Sequence, residues 1–206
     1  MPQDVDGEVA KAIADSTSCL ATFDAIVRLR RSVYAYLEEP VSRALVERAI
    51  GMAMLAPNHH KTFPWRFFVY AGAGRAPLVA AYEAAARRLD RDAAKARQRA
   101  LDAPVMIVVA CIPQTGQPKV VVKEEEFATA AAIQIMMLAL ACANVSTLLT
   151  TGDLAESPEM HALVGLGDGQ GRIMAVVNVG YRNPARPLPP RAERVLSKYM
   201  QWSESL

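Results

Sequence analysis

The stretch Val105–Ile112 reads VMIVVACI, an unbroken apolar run rich in β-branched residues. Such a run is typical of a strand buried on both faces, because a half-exposed strand would alternate apolar and polar residues. Arg172–Val179 (RIMAVVNV) has the same character and is closed by Gly180-Tyr181. Arg66–Tyr70 (RFFVY) and Val145–Leu149 are shorter strand candidates. The two long runs therefore predict a sheet whose central strands are covered on both sides.

Segments with helical periodicity lie between these strands. Val41–Leu55 places its apolar residues at helical spacing, and a charged, Ala-rich helical region follows from Pro77 to about Leu101. Carboxylates at residues 124–126 would interact favourably with the start of a helix that runs to about Ala143. Its apolar composition predicts almost complete burial. With a short helix at Glu156–Leu163, the pattern indicates an α+β fold.

The two ends of the chain have different characters. Residues 1–22 form a predicted short helical extension, in which Val5, Val9 and Ile13 recur at a spacing of four. Asp24 is a candidate cap for a helix that ends at Leu29. Residues 23–206 then make a single domain, whose proline-rich tail is predicted to run extended over the surface. We expect one domain because 206 residues suffice for one hydrophobic core.

The charge balance gives no indication of a nucleic-acid partner. The formal net charge is only +2. One basic cluster lies in the Ala-rich helical region, but acidic residues are interleaved with it, which favours a solvated helical face over a phosphate track. The basic residues are Arg87, Arg88, Arg91, Lys95, Arg97 and Arg99, and the acidic ones are Asp90, Asp92 and Asp102.

Membrane and metal partners are not expected either. The longest apolar stretch, residues 128–145, is interrupted by Thr129, Gln134 and Asn144, which suits a buried helix better than a membrane span. The acidic start of the chain does not resemble a signal peptide. The three cysteines are widely spaced, and the three histidines lack metal-binding spacing. We therefore expect a cytoplasmic protein.

Three short segments are candidate ligand contacts. Arg30-Arg31-Ser32 follows a helix and offers two guanidinium groups and a hydroxyl to a phosphate, although an arginine pair at a helix end also commonly compensates the helix dipole. The polar loop from Ala56 to Trp65 is stiffened by Pro57 and Pro64, and is either a ligand loop or an ordinary surface loop. Leu148–Gly152 (LLTTG) would allow close approach of a flat ligand, or would be only a turn.

In this order and spacing, these segments resemble the FMN-dependent nitroreductase family, specifically its compact bacterial NAD(P)H nitroreductase branch. The resemblance covers roughly residues 24–194. It is carried by Arg30-Arg31-Ser32-Val33, Ala56-Pro57-Asn58-His59 with Pro64-Trp65-Arg66-Phe67, the acidic helix start with its Ala/Met-rich helix, and the late strand closing on Gly180-Tyr181. It implies a nitroreductase-like fold, with a central mixed sheet surrounded by helices, in a homodimer.

The resemblance also implies roles for particular residues. On one side of the cofactor, Arg30 and Ser32 would contact the phosphate and ribityl chain of FMN, with Arg31 beside them and Arg191 closing on the phosphate. The ring would be lined by Leu149, Thr150 and Thr151. The polar loop would contribute Leu55, Pro57, Asn58 and His59, with Leu55 and His59 reaching the flavin from the partner subunit. The segment Ala139–Asn144 corresponds to a nicotinamide-nucleotide contact.

Two departures from the family pattern concern the pocket over the flavin. The family usually shows a glycine pair before the ring-lining strand, followed by aromatic or polar residues, whereas this chain has Asn144-Val145-Ser146-Thr147-Leu148-Leu149. Phe63 stands where a polar residue, commonly glutamine, precedes Pro-Trp. Both changes make that pocket more apolar. The phosphate anchors are unchanged, so the departures bear on the substrate more than on cofactor binding.

The reaction implied by the resemblance has two steps: NAD(P)H reduces FMN by hydride transfer, and a small-molecule electron acceptor such as a nitroaromatic or quinone then takes the electrons. The flavin carries this chemistry, which agrees with the absence of an acid–base constellation in the sequence. Two alternatives stay open at this point. One is a flavoprotein of the same fold with other redox chemistry, and the other is a non-catalytic binding protein that has lost the flavin.

Overall fold

A four-stranded sheet forms the centre of the molecule in the computed structural model, which describes residues 16–203. The strands are β1 (Trp65–Ala71), β2 (Val105–Cys111), β3 (Ser146–Thr150) and β4 (Arg172–Gly180). Their order is β1-β2-β4-β3, so the two long apolar runs are the central strands, as predicted. Every residue of β2 is buried.

The helices among the described residues are α1 (Ser16–Leu29), α2 (Arg43–Ala53), α3 (Ala76–Arg88), α4 (Ala93–Leu101), α5 (Val122–Cys142) and α6 (Pro158–Leu163). They cover the sheet on both faces. Ile107 and Val109 of β2 pack with α2 and α5, whereas Met106 and Val108 pack with α3, α4 and α6. Successive side chains of a strand point to opposite faces, so two apolar layers require an apolar residue at every position of β2.

The sheet is more uniformly antiparallel than predicted. All three pairings between named strands are antiparallel. The only parallel pairing among the described residues is an isolated bridge between Ser32 and Thr147, which adds the segment after α1 to the free edge of β3. The mixed character of the sheet is therefore restricted to this one bridge.

The first described helix differs from the prediction. α1, described from Ser16, continues without a break through residues 22 and 23 to Leu29. The prediction that Asp24 caps a helix is wrong, because Asp24 lies inside α1 and pairs with Arg28 at 2.6 Å. The helical residues proposed at Val5, Val9 and Ile13 lie outside the described residues, so the extension over residues 1–22 stays a prediction.

The long apolar helix α5 is less buried than predicted. Nine of its 21 residues are buried, and Phe127 is 61% exposed. The helix is long and apolar enough to cross a membrane by length and composition, but half of its most apolar window is buried inside the fold, as in a core helix. Apolar composition predicted burial correctly for one face only, because apolar residues outside that face, such as Phe127, stay exposed in the single chain.

The Ala-rich region from Pro77 to Leu101 is broken into two helices rather than forming one. Asp90 adopts a left-handed backbone with φ of 52°, and the Asp92 side chain then caps α4 by accepting from the Lys95 amide at 3.1 Å. The break places Arg91 in the turn between α3 and α4. This turn lies next to the chain that follows β3, where Arg91 pairs with Asp153 at 2.6 Å.

Candidate functional site

The segment after α1 is fixed against β3. The amide of Val33 donates to the carbonyl of Thr147 at 3.1 Å, next to the Ser32–Thr147 bridge. Val33 is almost fully buried, so its side chain anchors the segment in the core. As predicted, α1 ends directly before Arg30, and both Arg30 and Arg31 are half-buried beside the sheet edge while Ser32 is exposed.

Positive charge is concentrated at this segment. The pKa of Arg30 is lowered, first by desolvation and then by the neighbouring charges of Arg191 and Arg31. Arg31 donates to the carbonyl of Pro189 in the tail. Within residues 16–203, no carboxylate forms an ion pair with any of these three arginines. An arginine cluster with no acidic partner favours an anionic ligand, and a phosphate suits the guanidinium geometry.

Arg191 fixes the proline-rich tail to the end of α1. Its Nη2 donates to the carbonyl oxygens of Val27 and Arg28, both at 3.1 Å, and to that of Arg30 at 2.6 Å. The last carbonyls of a helix lack partners within the helix and carry partial negative charge, which explains why a guanidinium binds there. The predicted late arginine thus lies at the predicted phosphate anchor, and it holds the backbone of the anchor in place.

A cleft of about 390 Å³ opens beside this cluster. Its lining includes Arg30 and Arg31, the β3 residue Thr147, and Arg182, which follows β4. None of the described residues that line it is acidic. From the segment Ala139–Asn144, Ala141 and Asn144 contribute to the wall. We call this the basic cleft.

A larger cleft of about 570 Å³ lies at the other end of β3. It is lined by Thr150 and Thr151 of the predicted ring-binding segment and by Gly152. The backbone of Gly152 has a φ of 97°, a conformation that glycine adopts readily and other residues do not. Thr147 and Thr150 are three positions apart, a distance of about 10 Å along the strand. Because successive side chains of a strand alternate, the two point to opposite faces of the sheet: Thr147 pairs with Val179 of the layer under α2 and α5, and Thr150 pairs with Val176 of the layer under α3, α4 and α6. Leu149, between the two clefts along the strand, is 39% exposed. We call the second cleft the ring cleft.

The ring cleft contains residues that the sequence did not indicate as a site. Arg91 and Arg99 line it together with Tyr34 and the almost fully buried Tyr82. Arg91 is neutralised by Asp153, whereas Arg99 forms no ion pair with any described carboxylate. Both arginines are exposed, as the predicted solvated face requires, although they also line this cleft. Their spacing gave no usable signal, because the break between α3 and α4 decides which side chains meet the cleft.

The polar loop stands apart from both clefts in the single chain. Leu55 is 82% exposed, Pro57 and His59 are exposed, and neither these residues nor Asn58 line the two clefts. One subunit thus brings the other predicted residues to β3 or its immediate surroundings and leaves these four outside. This separation is what a site completed by a partner subunit requires.

The loop is nevertheless well ordered by its own hydrogen bonds. The Asn58 side chain accepts from the Phe63 amide at 2.8 Å and donates to Thr62 Oγ1 at 3.0 Å. The Thr62 hydroxyl donates to Glu125 Oε1 at 2.7 Å, and Asn58 Nδ2 reaches the same oxygen at 3.4 Å. Glu125 is only 2% exposed at the start of α5. The polar side chain of Asn58 is thus occupied within its own subunit.

Comparison with known proteins shows which family the chain is similar to. A model of the nitroreductase family matches residues 27–181, which include all the predicted site residues except Arg191. The protein named "Putative NAD(P)H nitroreductase YfhC" of Bacillus subtilis is 26% identical over 173 residues, covering 81% of this chain and 87% of its own length.

Two solved structures have the same fold. A nitroreductase-like family protein from Bacillus cereus matches with a TM-score of 0.77 at 25% identity, covering 89% of this chain and 96% of that one. The FMN-dependent nitroreductase NfnB from Mycobacterium smegmatis, solved in complex with NADPH, matches with a TM-score of 0.70 at 18% identity, covering 90% of this chain and 100% of that one. At the lower identity, the likeness shows the fold alone.

Proposed function

This chain belongs to the nitroreductase family, and from that premise we propose that it is an FMN-dependent NAD(P)H oxidoreductase acting as a homodimer. Its electron acceptor would be an electron-poor small molecule such as a nitroaromatic or a quinone. One observation carries the proposal: an arginine cluster without a described acidic partner lies at the segment that is bonded to β3, the strand that leads into the predicted ring-lining residues. The names of YfhC and NfnB, which mention NAD(P)H, FMN and NADPH, support the same assignment.

The residues of the basic cleft fit the phosphate end of FMN. Arg30 and Ser32 would hold the phosphate and the ribityl chain, with Arg31 beside them. Arg191 would contribute charge while keeping the backbone of Arg30 in place. Desolvation, followed by repulsion from Arg191 and Arg31, lowers the pKa of Arg30 in the free protein, and a phosphate bound here would offset both effects.

The segment Leu149–Thr151 would contact the isoalloxazine end. Bound FMN supplies the redox chemistry, by accepting a hydride from NAD(P)H and passing electrons to the acceptor. Thr150 and Thr151, together with Leu149, would line the ring, and the Thr150 hydroxyl is already oriented by donation to the Val176 carbonyl at 3.0 Å. Arg91 and Arg99 share this cleft with Asp102 and Asp153, so the formal charges of its lining balance.

A second copy of the chain would complete the site. The exposed loop residues Leu55, Pro57 and His59, together with the half-buried Asn58, would approach the flavin of the partner subunit. Large apolar side chains around the loop and on α5 are exposed in the single chain, including Leu55, Phe63 and Phe127 at 82%, 50% and 61%. Such exposure is uncommon unless another surface covers it, which supports a homodimer.

The proposal includes a cytoplasmic protein whose partners are small molecules and its own second copy. All three cysteines are unpaired, as is usual for proteins of a reducing compartment. The small net charge favours neither nucleic acid nor an anionic membrane surface as a partner.

Cofactor content and reduction of the purified protein test this proposal. We expect a dimer in sedimentation velocity, absorbance at about 450 nm that is typical of oxidised flavin, and one FMN released per chain on denaturation. Under anaerobic conditions NADH or NADPH should bleach this absorbance, and a nitroaromatic or quinone should restore it. A colourless protein that takes up no added FMN would overturn the proposal, whereas a yellow protein that neither nucleotide reduces would favour other redox chemistry.

A further inference from the structure

Glu125 is a buried carboxylate that the proposed chemistry does not use. It lies in the first turn of α5 and is 2% exposed. Its Oε1 accepts from Thr62 at 2.7 Å and lies 3.4 Å from Asn58 Nδ2. Its Oε2 is buried and has no hydrogen-bond partner among the described residues. Buried polar atoms are nearly always paired, so a carboxylate kept here with one free oxygen calls for an explanation beyond packing.

The loop that Glu125 contacts has an unfavourable backbone. His60, Lys61 and Phe63 all adopt the left-handed region, with φ of 58°, 54° and 48°. None of them is glycine, and each such conformation persists only where its surroundings enforce it. Three of them within four residues require strong local restraint.

Two connected hydrogen bonds supply that restraint. Asn58 Oδ1 accepts from the amide of Phe63 at 2.8 Å and so closes the loop on itself. The Thr62 hydroxyl then ties the closed loop to Glu125 on α5, 63 residues away along the chain. Without Glu125, Thr62 and Asn58 would lose their only acceptor outside the loop among the described residues. The orientation of His59, within this loop, therefore depends on a side chain that it does not touch.

We propose that Glu125 is a positioning residue for the flavin site of the partner subunit, acting through Thr62 and Asn58 on the loop that carries Leu55 and His59. The inference rests on the proposed function, since it needs a flavin between two subunits. The inference specifies which site is affected: Glu125 of one subunit determines the FMN affinity of the site that contains the other subunit's phosphate anchor. The phosphate anchor at Arg30 in the same subunit as Glu125 does not depend on Glu125.

A set of matched variants tests the role of Glu125. Glu125→Leu removes both acceptor oxygens, Thr62→Val removes the hydroxyl at nearly constant volume, and Glu125→Gln keeps one carbonyl acceptor. Glu124→Leu is the control, because it removes an exposed carboxylate from the same helical turn. In fluorescence titration of the apo-dimers with FMN, we expect at least a tenfold weaker Kd for Glu125→Leu and Thr62→Val. Glu125→Gln and Glu124→Leu should stay within about threefold of the parent chain.

Melting temperature and dimer dissociation are measured on the same samples, so that a folding defect is recognised as such. Thr62→Val keeps the test decisive if Glu125→Leu does not fold. Unchanged FMN affinity in Thr62→Val and in folded Glu125→Leu would overturn the positioning role, while a yellow parent chain would leave the proposed function standing.

The direction of the effect is tested with a mixed dimer in which one subunit carries Arg30→Ala and the other Glu125→Leu. If Glu125 acts on the partner's site, both defects fall on one site and the second site is assembled from unchanged residues. We then expect one FMN bound per dimer with the parent affinity, although each homodimer of a single variant binds FMN poorly. If Glu125 acts within its own subunit, both sites are defective and no high-affinity site remains, which would overturn the proposal.

Discussion

Arg191 donates a hydrogen bond of 2.6 Å to the carbonyl oxygen of Arg30, joining two residues 161 positions apart in the chain. The bond connects the tail to the residue proposed to bind the cofactor phosphate. Because the same guanidinium also binds the carbonyls of Val27 and Arg28, the tail and the end of α1 form one unit. Order in the tail and order in the phosphate anchor should therefore change together.

Replacing Arg191 with alanine is expected to reduce the order of both the tail and the phosphate anchor at the end of α1. A cation at the end of an exposed helix contributes about 0.3–1 kcal/mol, so the melting temperature should fall only slightly. The tail should be cleaved faster in limited proteolysis, and FMN affinity should decrease. Arg194→Ala, an exposed arginine in the same tail, is the control and should behave like the parent chain. Equal cleavage rates for both variants would contradict the fastening role.

Removal of Arg30 should separate cofactor binding from folding. A hydrogen bond to a charged group contributes about 1.5–3 kcal/mol, so Arg30→Ala should weaken FMN binding by roughly 10- to 100-fold. The apo-protein should be no less stable than the parent, because desolvation and two neighbouring cations disfavour the charged form of Arg30 and lower its pKa. FMN titration and thermal melts of the apo-proteins measure the two effects. Arg28→Ala, next to the site but paired with Asp24, should leave FMN affinity unchanged.

A charge introduced at Leu55 should disrupt the dimer. Leu55 is 82% exposed in the single chain and is proposed to lie at the partner's flavin. Burying a glutamate there should cost about 2 kcal/mol or more, so Leu55→Glu should shift the dimer toward monomer in sedimentation velocity and lose flavin. Leu101→Glu, on α4 at the opposite face of the sheet, should remain dimeric. A fully dimeric Leu55→Glu protein would place the interface elsewhere.

Stability at high pH should depend on Tyr82. Burial raises the pKa of Tyr82 to about 12, opposed by its hydrogen bond with Thr150 and by the charge of Arg99. Because the folded-state pKa lies above the ordinary value of 10, the neutral phenol stabilises the fold below pH 10, and this contribution is lost as the pH rises toward 12. The shift corresponds to about 2–3 kcal/mol. Urea unfolding at pH 8 to 12 should show a shallower decline for Tyr82→Phe, while Tyr34→Phe, at a position 72% exposed, should follow the parent curve.

Gly180 should not tolerate a side chain. A Cβ atom there would lie 2.7 Å from Cδ of Pro104 and 2.9 Å from Cδ1 of Tyr36. Overpacking of this kind costs about 1–3 kcal/mol, so Gly180→Ala should lower the free energy of unfolding in urea titrations. Gly116→Ala, in an open loop with no atom within 4 Å, should be neutral or slightly stabilising. The close approach explains why β4 ends on glycine.

The sequence predicted the elements that depend on local pattern. The runs at residues 105–112 and 172–179 could be recognised as central strands, because burial on both faces leaves an unmistakable apolar composition. Burial of α5 was overestimated for the same reason: composition reports that a residue is apolar, not which surface covers it. Arg30 and Arg31 were found because a resemblance joined them to other motifs, whereas each motif alone had an ordinary structural explanation.

The remaining parts of the site depend on contacts between distant segments. Arg91 and Arg99 reach the ring cleft only because α3 and α4 are separate helices that meet the chain after β3. Glu125 contacts a loop 63 residues earlier in the chain. Neither relationship has a signature in periodicity or spacing, since both depend on how the helices pack on the sheet.

The bridge between Ser32 and Thr147 has a consequence for the solubility of the chain. β3 is an outer strand, and an outer strand with unpaired backbone groups can recruit the same strand of another molecule. The segment after α1 covers part of that edge, with the Val33 amide bonded to Thr147. Because the proposed cofactor would hold this same segment in place, loss of the cofactor would also uncover a template for self-association, and the apo-protein would be the form that precipitates on storage.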